Sequence, residues 1–254
     1  MTELTLLKPE WPLPDGVEAV ISTRLGGHSH GVYASANLGD HVGDDASAVS
    51  ANRAQLAAQC KISQWQWLQQ VHGTAVVEAG PELLHLPVAD GVTTCHRGIA
   101  CAVLTADCLP VLLCAKDGQQ VAALHAGWRG LVAGIIQQGL VQFHQPPTDV
   151  TAFLGPAIGP EHFEVGRDVY DAFAVWDIRA PLWQQLLQPR LNKPKHYWAD
   201  LYGLARWCLQ QQGVTSVFGG DTCTFNNEQF YSYRRDQLTG RMASAIWLTP
   251  VAAL

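Results

Sequence analysis

Charged residues are scarce in this chain of 254 residues: Asp, Glu, Lys and Arg make up only 15%, against 48% hydrophobic residues. The formal net charge is -6, and the longest run of basic residues is the pair Arg234–Arg235. Nucleic-acid and membrane-surface partners are therefore not expected, because both require concentrated positive charge. The hydrophobic content is sufficient to bury a large core.

Targeting segments, membrane spans and paired cysteines are also missing from the sequence. The first residues lack the basic start and apolar core of a signal peptide, and the most apolar window, residues 98–115, is interrupted by Asp107 and Pro110. The seven cysteines include no C-x-x-C pair, which favours reduced thiols over a disulfide framework. We predict a cytoplasmic protein, with buried thiols at three cysteines on apolar faces: Cys60, Cys114 and Cys208.

Common cofactor and nucleophile motifs are absent as well. The chain contains no Walker motif, no G-x-G-x-x-G after a strand, no G-x-S-x-G and no H-E-x-x-H. It also contains no internal repeat and no low-complexity linker. Strands and helices alternate without a regular βαβ rhythm, so we predict one α/β domain over residues 1–254, with a mixed β-sheet and flanking helices.

Capping residues and apolar spacing place the main elements. The predicted helices start at Asp44–Asp45 (to Cys60), after Gly130 (Leu131–Leu140), near Arg167–Trp176 and Pro181–Gln188, and at Asp200 (to Gly213). The predicted strands are Glu18–Thr23, Thr74–Glu78, Ile99–Leu104, Val121–Leu124, Asp149–Leu154, Val214–Phe218, Gln229–Tyr233 and Ala243–Leu248.

Three reactive side chains each end an apolar run: His72, Cys108 and His125. Two imidazoles and one thiol match the ligand set of a zinc site with one open position. The spacings, 108 − 72 = 36 and 125 − 108 = 17, are too wide to be diagnostic. A competing hypothesis makes Cys108 a nucleophile and His125 its base, with Asp107 orienting a partner. Taken singly, each histidine could equally be hydrogen-bonded in the core.

Arg129 follows His125 by four positions, at the predicted strand-to-helix junction. Its guanidinium and the first N–H groups of the helix would form an anion site close to the reactive residues. The alternative is that Arg129 donates only to carbonyl groups of a neighbouring loop and supports the fold.

Seven motifs occur in an order that resembles the YfiH family, also described as laccase-domain, multicopper polyphenol oxidase or peptidoglycan editing proteins. The resemblance covers residues 20–248. Its motifs are Thr23-Arg24-x-Gly-Gly, Ser35-x-Asn37-Leu38-Gly39, Gln70-Val71-His72-Gly73, Thr105-Ala106-Asp107-Cys108-x-Pro110, His125-Ala126-Gly127-Trp128-Arg129-Gly130, Gly155-Pro156-Ala157-Ile158-Gly159-Pro160 and Tyr231-Ser232-Tyr233-Arg234-Arg235-Asp236. The departures from the family pattern are modest: Ala36, Gly91-Val92 and Glu161-His162.

This resemblance implies the cytotoxic-necrotizing-factor-like cysteine-hydrolase architecture. It implies a metal site formed by His72, Cys108 and His125, usually holding Zn²⁺, although thiolate and imidazole ligands also suit Cu²⁺. We expect catalytic roles for Cys108, His125, Arg129 and Asp107. The expected substrate-binding residues are Arg24, Asn37, Arg53, Gln70 and Arg234.

Three activities are attached to the family, and the chemistry of the residues ranks them. Purine nucleoside phosphorolysis with adenosine deamination comes first, because basic residues can bind phosphate and an open zinc site can activate water. Editing of a peptidoglycan precursor, by removal of L-Ser from UDP-MurNAc-Ser, comes second. Copper-dependent polyphenol oxidation comes third, because the ten histidines show no close pairing beyond His28 and His30. A non-catalytic, zinc-stabilised binding protein is the remaining hypothesis. The first two activities require a small-molecule substrate, which is a nucleoside with phosphate or a UDP-sugar precursor.

Overall fold

The computed structural model describes residues 3–82, 85–174, 176 and 185–250. These described residues contain six α-helices: α1 (Ala46–Cys60), α2 (Trp128–Ala133), α3 (Ile135–Val141), α4 (Arg167–Phe173), α5 (Leu201–Gln211) and α6 (Tyr233–Asp236). The strands are β1 (Leu6–Leu7), β2 (Val17–Ser22), β3 (Gln64–Gln66), β4 (Val76–Glu78), β5 (Gly91–Thr94), β6 (Ile99–Thr105), β7 (Leu109–Ala115), β8 (Val121–Ala126), β9 (Val150–Leu154), β10 (Glu164–Gly166), β11 (Leu187–Pro189), β12 (His196–Ala199), β13 (Ser216–Gly219) and β14 (Met242–Leu248).

These strands form two large mixed sheets and one small sheet. The five-stranded sheet has the order β1-β2-β14-β6-β3, and the six-stranded sheet has the order β13-β9-β7-β8-β5-β4. The small sheet, β10-β12-β11, is antiparallel. The predicted α/β class with mixed sheets and flanking helices is confirmed; that the domain extends over residues 1–254 stays a prediction.

The two large sheets pack face to face, and helices cover their outer faces. Side chains from β6 and β14, such as Val103 and Ile246, share one apolar cluster with Leu112 of β7. The outer face of the five-stranded sheet packs against Leu56 of α1, and that of the six-stranded sheet packs against helices that include α3 and α5. Every residue of β6 and β7 is consequently buried, which explains why both are continuous apolar runs.

The predicted caps of the two longest helices are confirmed. Asp45 accepts a hydrogen bond from the Ala48 N–H at the start of α1, and Asp200 accepts one from the Gly203 N–H at the start of α5. Both bonds satisfy a backbone donor that has no partner inside the helix.

Several predicted elements are corrected. The strand predicted over Gln229–Tyr233 is wrong, because this segment ends in the short helix α6. The helix predicted over Leu131–Leu140 is divided in two by Gly134, whose φ is 99°. Residues 181–184 of another predicted helix lie outside the described residues, and its end belongs to β11. Strand β7 was not predicted.

Cysteine placement agrees with the predictions in part. Cys114 and Cys208 are buried and unpaired, whereas Cys60 is only half-buried. Among the described residues, no helix has the length and apolar character needed to cross a membrane.

Candidate metal centre and its cavity

His72, Cys108 and His125 meet at one point of the structure, as predicted. Their ligand atoms all lie within 4.8 Å of one another, and Cys108 Sγ lies 3.7 Å from His72 Nε2. In a tetrahedral zinc site, bonds of about 2.0–2.3 Å place ligand atoms about 3.3–3.8 Å apart. One metal ion therefore fits between the three side chains with only small adjustments.

The pairing of two strands brings the Cys108 thiol close to His125 and to Gly127. Strands β7 and β8 are antiparallel, with Leu109 opposite Ala126, so that Cys108 lies beside Gly127. The close approach requires glycine at that position: a Cβ atom there would lie 2.8 Å from His72 Cδ2 and 3.1 Å from Cys108 Sγ. The packing around Gly127 thus defines where the thiol and the His72 ring lie.

Asp90 orients both histidines from a fully buried position. Its carboxylate accepts hydrogen bonds from the backbone N–H groups of Val71 at 3.2 Å, His72 at 2.9 Å and Gly73 at 2.6 Å. The same carboxylate lies 2.8 Å from His125 Nδ1. With Nδ1 bonded to Asp90, the Nε2 atom of His125 remains for a metal, which is the usual arrangement of a carboxylate–histidine–metal triad.

The thiol and the imidazole stabilise each other's charged forms. Burial favours a high pKa for Cys108, but the charge and hydrogen bonds of His125 and His72 lower it to about 6. Burial favours a low pKa for His125, but Cys108 and Asp90 raise it to about 9. Both shifts favour the thiolate–imidazolium form of the pair over the neutral form. The thiolate is the form of cysteine that binds a metal.

A cavity of about 550 Å³ opens beside the triad. This volume is typical of small-molecule sites, which run from about 300 to 1,000 Å³. Its remaining walls carry four basic side chains, one acidic side chain, three aromatic side chains and several others: His41, Arg129, Arg234, Arg241, Asp107, Trp128, Phe163, Tyr233, Gln70, Leu104, Thr105, Ala106, Ile158 and Leu201.

The three arginines of the cavity have no carboxylate partner among the described residues. Arg129 is exposed, and its guanidinium stacks on the Trp128 ring at 4.3 Å. The side chains of Arg234 and Arg241 donate only to backbone carbonyl groups. No carbonyl of the described residues binds the Arg129 side chain, which favours its anion-binding role over the structural alternative.

Asp107, the one acidic residue of the cavity wall, is occupied by bonds within the fold. Its carboxylate accepts hydrogen bonds from Thr224 Oγ1 at 2.6 Å, Ser232 Oγ at 3.0 Å and the Arg234 N–H at 2.7 Å. These contacts tie the segment 224–234 to the Cys108 turn. They give no support to the prediction that Asp107 orients a catalytic partner.

Of the five predicted substrate-binding residues, Gln70 and Arg234 line the cavity. Gln70 also fixes the end of β6, since its amide exchanges hydrogen bonds with the N–H and C=O groups of Leu104. The other three residues, Arg24, Asn37 and Arg53, lie outside the cavity wall.

The side chains of these three residues form bonds within the fold, and a substrate-binding role for them stays a prediction. The Nε of Arg24 donates to the Ala34 carbonyl, and the side chain stacks on Tyr231. Arg53 donates to the Leu38 carbonyl and pairs with Asp40. Asn37 is fully buried, and its amide forms hydrogen bonds with neighbouring residues: Gly39, Asp44 and Arg241.

Sequence reasoning missed the orienting residue Asp90 and several cavity residues: His41, Trp128, Phe163, Tyr233 and Arg241. The one sequence signal for Asp90 is that it is a charged residue directly next to a strand, β5. His41 and Arg241 come from segments 200 positions apart, 241 − 41 = 200, which are joined by backbone hydrogen bonds of Arg241 to Asn37 and Leu38.

The family model described as multi-copper polyphenol oxidoreductase laccase matches residues 18–249. A Shigella flexneri protein named purine nucleoside phosphorylase YfiH is 48% identical over 245 residues, which cover 96% of this chain and 98% of the relative. A Pseudomonas aeruginosa protein, also named a purine nucleoside phosphorylase, is 46% identical and covers 95% of this chain and 98% of the relative.

A solved structure of a Neisseria meningitidis protein has the same fold, with a TM-score of 0.91 and 45% identity. The match covers 96% of this chain and 99% of that chain. The arrangement of sheets and helices described above is therefore the architecture of a family with solved members.

Proposed function

We propose that this chain, which belongs to the multi-copper polyphenol oxidoreductase laccase family, is a metal-dependent enzyme that cleaves purine nucleosides with phosphate. The observation that carries this proposal is a cluster of three potential metal ligands that opens into a cavity, whose three arginines have no carboxylate partner among the described residues. Relatives that are nearly half identical along their whole length bear the name purine nucleoside phosphorylase. That name fits a site that offers positive charge for phosphate and aromatic surface for a base.

The donor set of the centre fits zinc. Two imidazoles and one thiolate leave one position of a tetrahedral ion free for water or substrate. When bound at His72, Cys108 and His125, the metal would supply Lewis-acid polarisation of an oxygen or nitrogen of the substrate. Copper also accepts this donor set. A multicopper oxidase needs further metal clusters, and the described residues contain a single group of this kind.

The chain's own residues account for the binding steps of phosphorolysis. In this reaction the bond between ribose C1′ and the purine nitrogen breaks, a bond from C1′ to a phosphate oxygen forms, and the purine leaves with a proton. Arg129 and its neighbouring arginines would hold the phosphate dianion. Trp128 and Phe163 offer apolar ring surface on which a purine base can pack.

Adenosine deamination and precursor editing use the same cavity. Deamination replaces the amino group of adenine with oxygen from water, and it needs the open metal position but no phosphate. Removal of serine from a UDP-sugar precursor is favoured by the three arginines, since its diphosphate is negatively charged whereas a nucleoside is neutral. The arginine cluster therefore keeps the editing reaction as the second candidate.

Product analysis separates these activities. The metal-loaded protein is incubated with inosine, adenosine and UDP-MurNAc-Ser, each with and without phosphate, and the products are identified by mass spectrometry. We expect hypoxanthine and ribose 1-phosphate from inosine, only when phosphate is present, and no products from a His72→Ala variant. Release of serine from the precursor alone, with no nucleoside cleavage, would replace the proposal by the editing function.

A further inference from the structure

Arg241 presents a fixed guanidinium to the cavity. Its backbone N–H donates to Asn37 Oδ1 at 2.8 Å, and its Nη1 donates to the carbonyl groups of Thr239 and Gly240, both at 3.0 Å. These three bonds fix the start of β14 and one nitrogen of the side chain. Within the described part of the chain, Nε and Nη2 have no hydrogen-bond partner.

This guanidinium forms no direct ion pair with the described residues. Burial lowers the pKa of Arg241, and the charges of Cys108 and Asp107 only partly offset this effect. The carboxylate of Asp107 is already bonded within the fold, and that of Asp40 pairs with Arg53 at 3.3 Å. A partly buried cation without a counter-ion is unfavourable unless a ligand supplies the negative charge.

We propose that Arg241 binds phosphoryl oxygens of the substrate beside the metal centre. The free Nε and Nη2 edge of a guanidinium matches two oxygens of a phosphoryl group, which favours a bidentate contact. If the proposed phosphorolysis is correct, this phosphoryl group is inorganic phosphate. The identification of the ligand as phosphate therefore rests on the proposed function. In an editing reaction the same contact would be made by the diphosphate of the substrate.

Arg129 and Arg241 then have different tasks. Arg129 is exposed and carries no hydrogen bond to the described residues, so its side chain can follow an incoming anion. Arg241 is anchored and partly buried, which reduces the rotamer entropy that binding would otherwise cost. The tighter phosphoryl contact belongs to Arg241, and Arg129 adds attraction at the cavity mouth.

Calorimetric titration of the metal-loaded protein tests the assignment without relying on activity. Inorganic phosphate and UDP are titrated separately into the wild type, Arg241→Gln, Arg241→Lys and a control, Arg206→Gln. The control is matched because Arg206 is also partly buried and also donates to backbone carbonyls, those of Val217 and Gly219, but does not line the cavity.

We expect Arg241→Gln to weaken phosphate binding about 10- to 100-fold, as for a lost charged hydrogen-bond pair, with the control unchanged. If Arg241→Gln weakens the binding of UDP but not that of phosphate, the phosphoryl contact is supported and phosphorolysis is contradicted. Unchanged binding of both ligands, or no binding of either by the wild type, would overturn the assignment. If Arg241→Gln loses metal or unfolds, Arg241→Lys decides: weaker binding supports the bidentate contact, and wild-type affinity for both ligands refutes it.

Discussion

At the scale of single residues, the centre depends on how closely its side chains approach. Gly127 has no side chain where Cys108 and His72 come nearest, and its φ of −62° is accessible to any residue. Glycine is required there for space rather than for backbone conformation. Asp90 supplies the complementary constraint, because one carboxylate holds the loop of His72 and the ring of His125.

A Gly127→Ala variant is expected to lose metal affinity while it remains folded. The added methyl group would lie 2.8 Å from His72 Cδ2, so the imidazole must move away from the thiol. A displacement of this kind should weaken metal binding at least about tenfold, as loss of ligand orientation commonly does. Zinc competition with a chromophoric chelator measures the change.

Gly80→Ala is the control for that variant, since a Cβ atom at Gly80 meets no heavy atom within 4 Å. Equal zinc affinities for the wild type and both variants would show that Gly127 does not define the ligand spacing.

Cys108 should react as a thiolate in the metal-free protein at mildly acidic pH. Its pKa of about 6 lies below the ordinary value because His125 and His72 favour the anion more than burial opposes it. The rate of alkylation by iodoacetamide should therefore stay close to its maximum at pH 7 and fall to half of that maximum near pH 6. Buried Cys208, whose pKa burial raises to about 12, serves as the internal reference. A Cys108 rate that rises only above pH 8 would refute the ion pair.

At the scale of secondary-structure elements, short turns at the ends of strands carry the site. The turn between β6 and β7 bears Asp107 and Cys108, and the turn after β8 bears Gly127 and Arg129. Asp107 joins the first of these turns to the segment that leads into α6. The cavity wall formed by Tyr233 and Arg234 therefore depends on one buried carboxylate.

An Asp107→Ala variant should lower the free energy of unfolding by about 2–4 kcal/mol. The variant removes a buried acceptor and leaves three donors without their partner. Denaturant unfolding followed by tryptophan fluorescence gives the value. The control is Asp171→Ala, which removes an exposed ion pair with Arg167 and should change stability little. Equal small losses in both variants would show that the 224–234 segment is held by other contacts.

The elements that could be predicted are those whose signals are local. Asp45 and Asp200 cap helices within a few residues, and apolar runs mark β6 and β8. The predicted strand over Gln229–Tyr233 failed because its aromatic side chains, such as Tyr231, are buried by packing rather than by sheet pairing. Strand β7 was missed because proline, here Pro110 near its start, usually argues against a central strand, although its neighbours on both sides supply the pairing.

At the scale of the whole molecule, two stacked sheets bring distant segments to one edge. The triad could be predicted because its motifs resemble a known family, and that resemblance is confirmed by the matches along the whole chain. Arg24 and Asn37 lie in comparable motifs yet stabilise loops, since a motif alone does not distinguish a bonded side chain from one that faces a ligand. Arg241 carried no local signal, because its place in the cavity follows from the pairing of β14.

The central claim is that His72, Cys108 and His125 hold one catalytic metal with a free position. X-ray absorption at the zinc edge of the loaded protein measures this directly. We expect one sulfur at about 2.3 Å and two imidazole nitrogens at about 2.0–2.1 Å, with a fourth light atom from water or substrate. A coordination shell without sulfur, or one filled by four protein ligands, would show that this open metal site does not form.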